Sequence, residues 1–404
     1  MDTFNRLSPF IREFIYRGGW IDLREVQTAA CEIIFNSDRN LLLSAGTASG
    51  KTEAAFLPVL TLLTEDPASS VGVMYVSPLK ALINDQFTRL EELLREANIP
   101  VCKWHGDSSR TGKTKLLKNP EGVLQITPES LESLLMKRRK AVSRLFADLR
   151  FIIIDEVHYF MANERGTQLL CQLERVQRLA GCRPRRIGLS ATLPDYSGAE
   201  EWLNTGSGRL CSTPEITAAK RKLGIQMRRF SPDGTGENAS RLEFLYRRTL
   251  NKKSIIFAKS RAEVEEIISG MRRVAKTRGT GDIYYTHHGS ISASLRAEAE
   301  QDMKNSETPI VAGATLTLEL GIDIGSLDRV IQIGSPVSAS SLAQRVGRCG
   351  RRGRCGRRCD RWRGRRGRRR GRAGKIRRNR PRGHDMGRDP RGGRRRYAYL
   401  LRLG

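Results

Sequence analysis

A short run near the start of the chain narrows its possible folds more than any other feature. Three leucines at residues 41–43 lead into Ser44-Ala45-Gly46-Thr47-Ala48-Ser49-Gly50-Lys51-Thr52, and a helical apolar pattern follows. Small residues let the backbone curl so that several N–H groups point at one phosphate chain, and the positive end of the following helix adds to the attraction. Lys51 is then placed for the outer phosphates and the Thr52 hydroxyl for Mg²⁺. A loop of this kind sits at the carboxyl end of strands in an α/β sheet, so alternating strands and helices are expected around it.

That alternation runs through the sequence. Apolar runs of strand length lie at residues 41–43, 71–76, 124–126, 151–154 and 186–189, and again at 254–257, 283–285, 310–312 and 330–333. Helical patterns fill the gaps, for example at 79–97, 167–179 and 261–274. The turn-rich PDGTGEN at 232–238 breaks the pattern, and the strand-like stretch 224–230 before it belongs with the second half. With 404 residues the chain has room for two or three domains. The expected fold is α/β: two tandem domains, 1–212 and 213–353, each a mainly parallel sheet flanked by helices. An Arg/Gly-rich segment, 354–404, follows.

A second feature sharpens the first. The apolar run 151–154 ends in Asp155-Glu156-Val157-His158. Two adjacent carboxylates at the carboxyl end of a buried strand are costly unless a cation or a proton transfer needs them. Asp155 reads as the Mg²⁺-side ligand, and Glu156 as the group that positions and deprotonates an attacking water.

Read in order, further strings carry a resemblance. Arg24 and Gln27 (LREVQ), AGTASGKT, VSPLKALINDQ, ITPESL, DEVH, SATL, IIFAKSR, GIDIG and QRVGRCGR follow one another between residues 20 and 353. The set resembles the ordered motifs of the superfamily 2 DEAD/DEAH-box helicases, in which two RecA-like domains close over ATP and Mg²⁺. Ala45, where the general phosphate-loop pattern has Gly, is the usual variant in that superfamily. TASGKTEAAFLP, SPLKALINDQ and LELGIDIG are most similar to the large helicase-related (Lhr-like) group of bacteria and archaea, whose members are DNA helicases described as moving 3′ to 5′. Their motor continues into a winged-helix domain. Here the family pattern stops at Gly353, so the chain reads as truncated after the last motif, with duplex separation more exposed to that loss than ATP hydrolysis.

The resemblance implies a role for each matching residue. Arg24, Gln27, Gly46, Thr47, Ala48, Ser49, Gly50, Lys51, Thr52, Asp323 and Gln344 would bind the nucleotide, with Thr52 and Asp155 on the metal. Glu156 and Asp155 would act with Arg348 and Arg351, arginines that the second domain delivers to the charge building up on the γ-phosphate. Arg345 is a poorer candidate, suited equally to a salt bridge or a phosphate contact. Ser190 and Thr192 would couple the γ-phosphate to domain closure. Nucleic acid would cross Pro78, Lys80, Thr127, Ser260, Arg261, His288, Gly289, Thr315 and Thr317, held mainly by its phosphates. Small hydroxyls at strand ends are also ordinary helix caps, and Leu316 stands where the group commonly has Ser. Single-stranded DNA is the favoured partner and an ATP-dependent helicase or translocase the expected function; the alternatives are an RNA helicase of the DEAD-box type, or a truncated nucleic-acid-binding fragment with an uncoupled motor.

Charge must be localised before it means anything. The net charge is +29, but residues 351–404 hold 23 Arg and one Lys against three Asp, leaving 48 basic and 40 acidic side chains in residues 1–350. The body is mildly basic and the tail extremely so, which favours polyanions. By composition the segment 354–404 cannot order itself alone. Three readings stay open: a nucleic-acid-binding arm, a solvated tail, or an out-of-frame translation of a GC-rich gene. The last is favoured, because no Phe or Tyr interrupts the run between Arg351 and Arg396. Cys31, Cys102, Cys171, Cys182 and Cys211 are scattered as in reduced cytosolic proteins, and Cys349, Cys355, Cys359 and His384 match no zinc spacing. The longest apolar candidate, 56–63, contains Pro58, and the N-terminus has no secretory pattern, so a cytoplasmic location without membrane contact is expected.

Overall fold

The computed structural model describes residues 3–46, 49–80, 82–83, 91, 93–161, 163–191, 193, 195–216, 223–230, 237–288, 298–299, 301–304, 308–315, 327–336, 339–347, 349 and 396–403. The strand-length apolar runs read from the sequence become strands of two sheets. The first holds β1 (Asn40–Ser44), β2 (Val71–Val76), β3 (Val101–Trp104), β4 (Gly122–Ile126), β5 (Phe151–Ile154), β6 (Arg185–Ser190) and β7 (Cys211–Ser212). Their spatial order is β3-β4-β2-β5-β6-β1-β7, with every pairing parallel. Strands β2 and β5 are buried along their whole length, as near-continuous apolar runs covered on both faces should be, and β6 is buried throughout although it begins with two arginines.

One face of this sheet packs on α1 (Pro9–Arg17), α2 (Glu25–Asn36) and α3 (Lys51–Glu65) through Ile11, Ile15, Ala30, Ile34, Phe56 and Leu60. In chain order there follow α4 (Arg110–Lys118), α5 (Pro128–Lys137), α6 (Arg139–Leu145), α7 (Val157–Met161), α8 (Glu164–Ala180) and α9 (Tyr196–Asn204). They supply the opposite face with Leu116, Leu131, Val142, Phe160, Leu173 and Leu203.

Two arginines inside β6 tie the layers together. Arg186 is fully buried; it donates to Leu203 O (3.0 Å) and Thr205 O (2.6 Å), the carbonyls that α9 leaves without helical partners. Arg185 reaches the end of α2, donating to Ile34 O (2.8 Å) and to Ile33 O (2.9 Å), the latter already accepting from Ser37 N (3.2 Å). Burial pulls both guanidinium groups down to about 10.

The second sheet is ordered β10-β11-β9-β12-β13-β8. Its strands are β8 (Leu223–Phe230), β9 (Ser254–Phe257), β10 (Tyr284–His287), β11 (Val311–Ala314), β12 (Arg329–Ile333) and β13 (Arg396–Leu403). The first four in spatial order run β10-β11-β9-β12 and are parallel. Helices α10 (Glu237–Thr249), α11 (Arg261–Thr277) and α12 (Ala339–Val346) accompany them. Two apolar clusters, around Ile256, Ile268 and Met271 and around Ile255, Phe257 and Val330, line its faces.

The segment 354–404, unable to order itself alone by composition, ends in a strand supported from both sides: β13 pairs antiparallel with β12 and with β8. Its sequence RYAYLLRL holds the one run of consecutive apolar residues in that segment, 397–401. No helix among the described residues is long and apolar enough to cross a membrane.

Candidate functional site

The register of the first sheet decides which residues meet. Ser44 lies level with Ser190, and Val76 with Ile154, so β1, β2, β5 and β6 end at one edge of the sheet. Beyond those ends lie Gly46 and Gly50 ahead of α3, Ser77–Lys80, Asp155–Glu156 and Ala191.

At the phosphate loop, Gly50 takes the left-handed conformation (φ +87°) directly before α3. A Cβ there would come within 2.9 Å of Gln27 Nε2 and 3.2 Å of Arg24 Nη1, so the glycine is required and both side chains crowd the loop. Gln27 is fully buried; its Oε1 accepts from Arg24 N (2.9 Å), while its Nε2 has no hydrogen-bond partner. A buried amide donor left open beside a phosphate loop fits an adenine acceptor. Lys51 Nζ donates to Ala45 O (2.6 Å) and Gly46 O (3.2 Å), stretching across the loop. Thr52 is buried behind it. Thr47 and Ala48 lie outside the described residues.

Asp155 and Glu156 are both buried at the end of β5. Glu156 has a left-handed backbone (φ +51°), a conformation costly for a side-chain-bearing residue and common where a site requires it. Asp155 Oδ1 accepts from Glu156 N (2.9 Å) and Oδ2 from the Tyr75 hydroxyl (2.5 Å). Burial and then the neighbouring Glu156 carboxylate push Asp155 up to about 6, against the pull of the Tyr75 hydroxyl and the Lys51 ammonium. Lys51 and Asp155 therefore share one site. Paired buried carboxylates beside a lysine and a buried Thr52 hydroxyl fit a divalent cation carrying a phosphate chain.

The second lobe reaches this site through α12. Gln344, buried, hydrogen-bonds its Nε2 to Nε2 of His158, two residues beyond Glu156. An amide nitrogen only donates, so His158 Nε2 accepts and the ring proton sits on Nδ1. That nitrogen lies 2.8 Å from Ser190 Oγ and 3.5 Å from Glu156 Oε2. One imidazole thus joins the Glu156 carboxylate, Ser190 and a side chain of the facing lobe. Arg345, beside Gln344, is buried in its own lobe, donating to Gln332 Oε1 and lying 4.6 Å above the Phe257 ring. Arg348, Arg351, Asp323 and Thr192 lie outside the described residues.

The residues expected along nucleic acid sit at strand ends of both sheets. Lys80 is exposed and ion-paired with Asp107 (3.0 Å). Pro78 is buried, its carbonyl accepting from Arg165 (3.0 Å). Thr127 caps α5 and turns its hydroxyl to Ser130 (3.2 Å). In the second lobe Ser260 caps α11 by accepting from Glu263 N (3.1 Å), the ordinary helix-cap role, with exposed Arg261 beside it. His288 follows β10 and pairs with Glu265 (2.7 Å), and Thr315 follows β11. Gly289 and Thr317 lie outside the described residues.

Sequence reasoning gave no role to Tyr75, His158 or Asp107. For Tyr75 the signal was present, since VGVMYV places one hydroxyl inside an otherwise apolar strand.

Comparison with known proteins agrees with this arrangement. Residues 24–199 match the DEAD/DEAH box helicase family and residues 237–353 the helicase conserved C-terminal domain. The chain is 35% identical over 374 residues to ATP-dependent helicase Lhr-Core protein 2 of Thermococcus barophilus, covering 86% of this chain and 42% of that relative. It is 32% identical over 369 residues to ATP-dependent helicase Lhr-Core of Methanothermobacter thermautotrophicus, covering 85% and 42%. The structure of Mycobacterium smegmatis helicase Lhr bound to ssDNA and AMP-PNP matches with a TM-score of 0.72 at 32% identity, over 86% of this chain and 46% of that one. The chain thus spans less than half the length of these relatives. It belongs to the superfamily 2 DEAD/DEAH-box helicases and is most like the Lhr group within them.

Proposed function

We propose that this chain is an ATP-driven motor that hydrolyses ATP between its lobes and moves along single-stranded nucleic acid, on DNA and in the 3′ to 5′ direction. The observation that carries the reading is the contact of Gln344 with His158, which sets the second lobe against the carboxylates that would do the chemistry. Gln27 and Arg24 read the adenine, Lys51 holds the outer phosphates, and Thr52 and Asp155 hold Mg²⁺, which would supply charge neutralisation at those phosphates. Glu156 orients a water and takes its proton. Arg348 and Arg351 are the arginines proposed to meet the γ-phosphate charge. Support for DNA comes from the ssDNA held by the Mycobacterium smegmatis relative.

The test is ATP turnover with and without single-stranded DNA or RNA, in wild type, Lys51→Ala and Glu156→Gln. Wild-type turnover should rise with DNA, and loss of the base at 156 should cost about 10²-fold or more. Turnover equal in all three proteins rejects the enzyme, and stimulation by RNA alone rejects the DNA assignment. Movement of a strand-bound roadblock toward the 3′ end rejects the direction.

A further inference from the structure

The net charge of residues 1–350 is unevenly placed. They carry 48 basic and 40 acidic side chains, yet residues 101–146 alone hold ten Lys or Arg against four Asp or Glu. Six of the eight excess charges therefore sit on the stretch from β3 to α6. Three of its four acids are already engaged by cations from elsewhere: Asp107 by Lys80 (3.0 Å), Glu129 by Arg165 (2.5 Å) and Glu132 by Arg175 (2.6 Å). The local cations are left with little to oppose them.

Four of the ten line a groove between α4 and α5. A cavity of about 440 Å³ is lined by Arg110 and Lys113 from one helix and by Lys137 and Arg138 from the end of the other, with Trp104 below. Among the described residues no acid lines it. Arg110, Lys137 and Arg138 are exposed, and no acidic side chain among the described residues lies within ion-pair distance of them. Both helices begin at the strand-end edge that carries Lys80, Asp107 and Thr127, so the groove opens from that edge and runs away from it. Trp104 is only 7% exposed, which leaves no aromatic face for base stacking and makes the groove a reader of backbone charge.

We infer that this groove is a phosphate-backbone site, taking two or three consecutive phosphates of the nucleic acid as it leaves the strand-end edge. An acidic polypeptide would satisfy the same charges, but only a strand already lying on that edge continues into the groove. The inference depends on the nucleic-acid reading above and adds a second contact region to it.

The experiment compares the full wild-type chain with the triple variant Arg110→Gln/Lys137→Gln/Arg138→Gln, and with Arg110→Lys/Arg138→Lys as a charge-retaining control. Binding to oligodeoxythymidine of about 8 and about 20 nucleotides is measured across salt concentrations. The triple variant should bind the short strand like wild type and the long strand about tenfold or more weakly, with the salt slope for the long strand reduced by about 2. The charge-retaining control should match wild type. All three proteins carry the same Arg-rich segment, so differences among them belong to the groove. Unchanged affinity and slope for the long strand overturn the inference alone. Loss of polyglutamate binding with both strands unaffected overturns it in favour of an acidic polypeptide. A wild type that binds neither strand removes the parent reading as well.

Discussion

Single side chains carry the chemistry of this site, and Tyr75 illustrates how little surface one needs. Its ring is fully buried in the apolar core, 6.0 Å from the Phe56 ring, and only its hydroxyl does polar work, donating to Asp155 Oδ2. That bond favours the ionised carboxylate, the form proposed to hold Mg²⁺, and fixes its orientation. Tyr75→Phe keeps the packing and removes the donor. The Mg²⁺ concentration giving half-maximal ATP turnover should rise several-fold, up to about tenfold for a hydrogen bond to a charged group, with the fold's melting temperature little changed. Equal Mg²⁺ dependence in both proteins would reduce Tyr75 to a core residue. The neighbouring Glu156 illustrates the converse: its left-handed backbone is a cost that the end of β5 sustains at the position proposed for the reacting carboxylate.

At the level of elements, most of what matters is legible in the amino-acid pattern itself. Fully buried strands such as 151–154 are continuous apolar runs, and the helix after Gly-Lys-Thr begins at Lys51 as its loop demands. The strands expected at 283–285 and 310–312 lie one residue later at each start, as Tyr284–His287 and Val311–Ala314. β3 is hidden in the sequence because an edge strand is only half covered, and Lys103 breaks its apolar pattern. β13 is hidden because its neighbours along the chain are almost all Arg and Gly, while its neighbours in space are strands far away in the chain. The site is legible where a residue's type announces its chemistry, as at Lys51 and Asp155. It is not legible where an ordinary residue becomes special by position, as with His158 between Ser190 and Gln344.

The same level exposes a stability device. Arg186 replaces missing helical donors at the end of α9 from within the sheet. Arg186→Met fills the volume but leaves both carbonyls unpaired, which should cost about 2–4 kcal/mol. Urea unfolding of the two proteins checks this, and equal midpoints would show that water serves those carbonyls as well.

For the whole molecule, the question is how one lobe learns what the other holds. Gln344 is the described residue that bridges them, and it does so through the proton-bearing imidazole next to Glu156. Gln344→Ala should lower the nucleic-acid-stimulated rate of ATP turnover about tenfold, the size of a coupling of roughly 1–2 kcal/mol. A variant stimulated as fully as wild type would place the coupling elsewhere.

The covalent tie between lobes is a separate matter. From β7 the chain passes through residues 213–222 into β8, the outermost strand of the second sheet, which is joined to that sheet through β13. Any pull between the lobes along the chain is therefore borne by an edge ladder whose inner rail is β13. An edge ladder parts more easily than a parallel core, so the covalent connection is the compliant route between the lobes and the stiffer one runs through the side chains at the cleft.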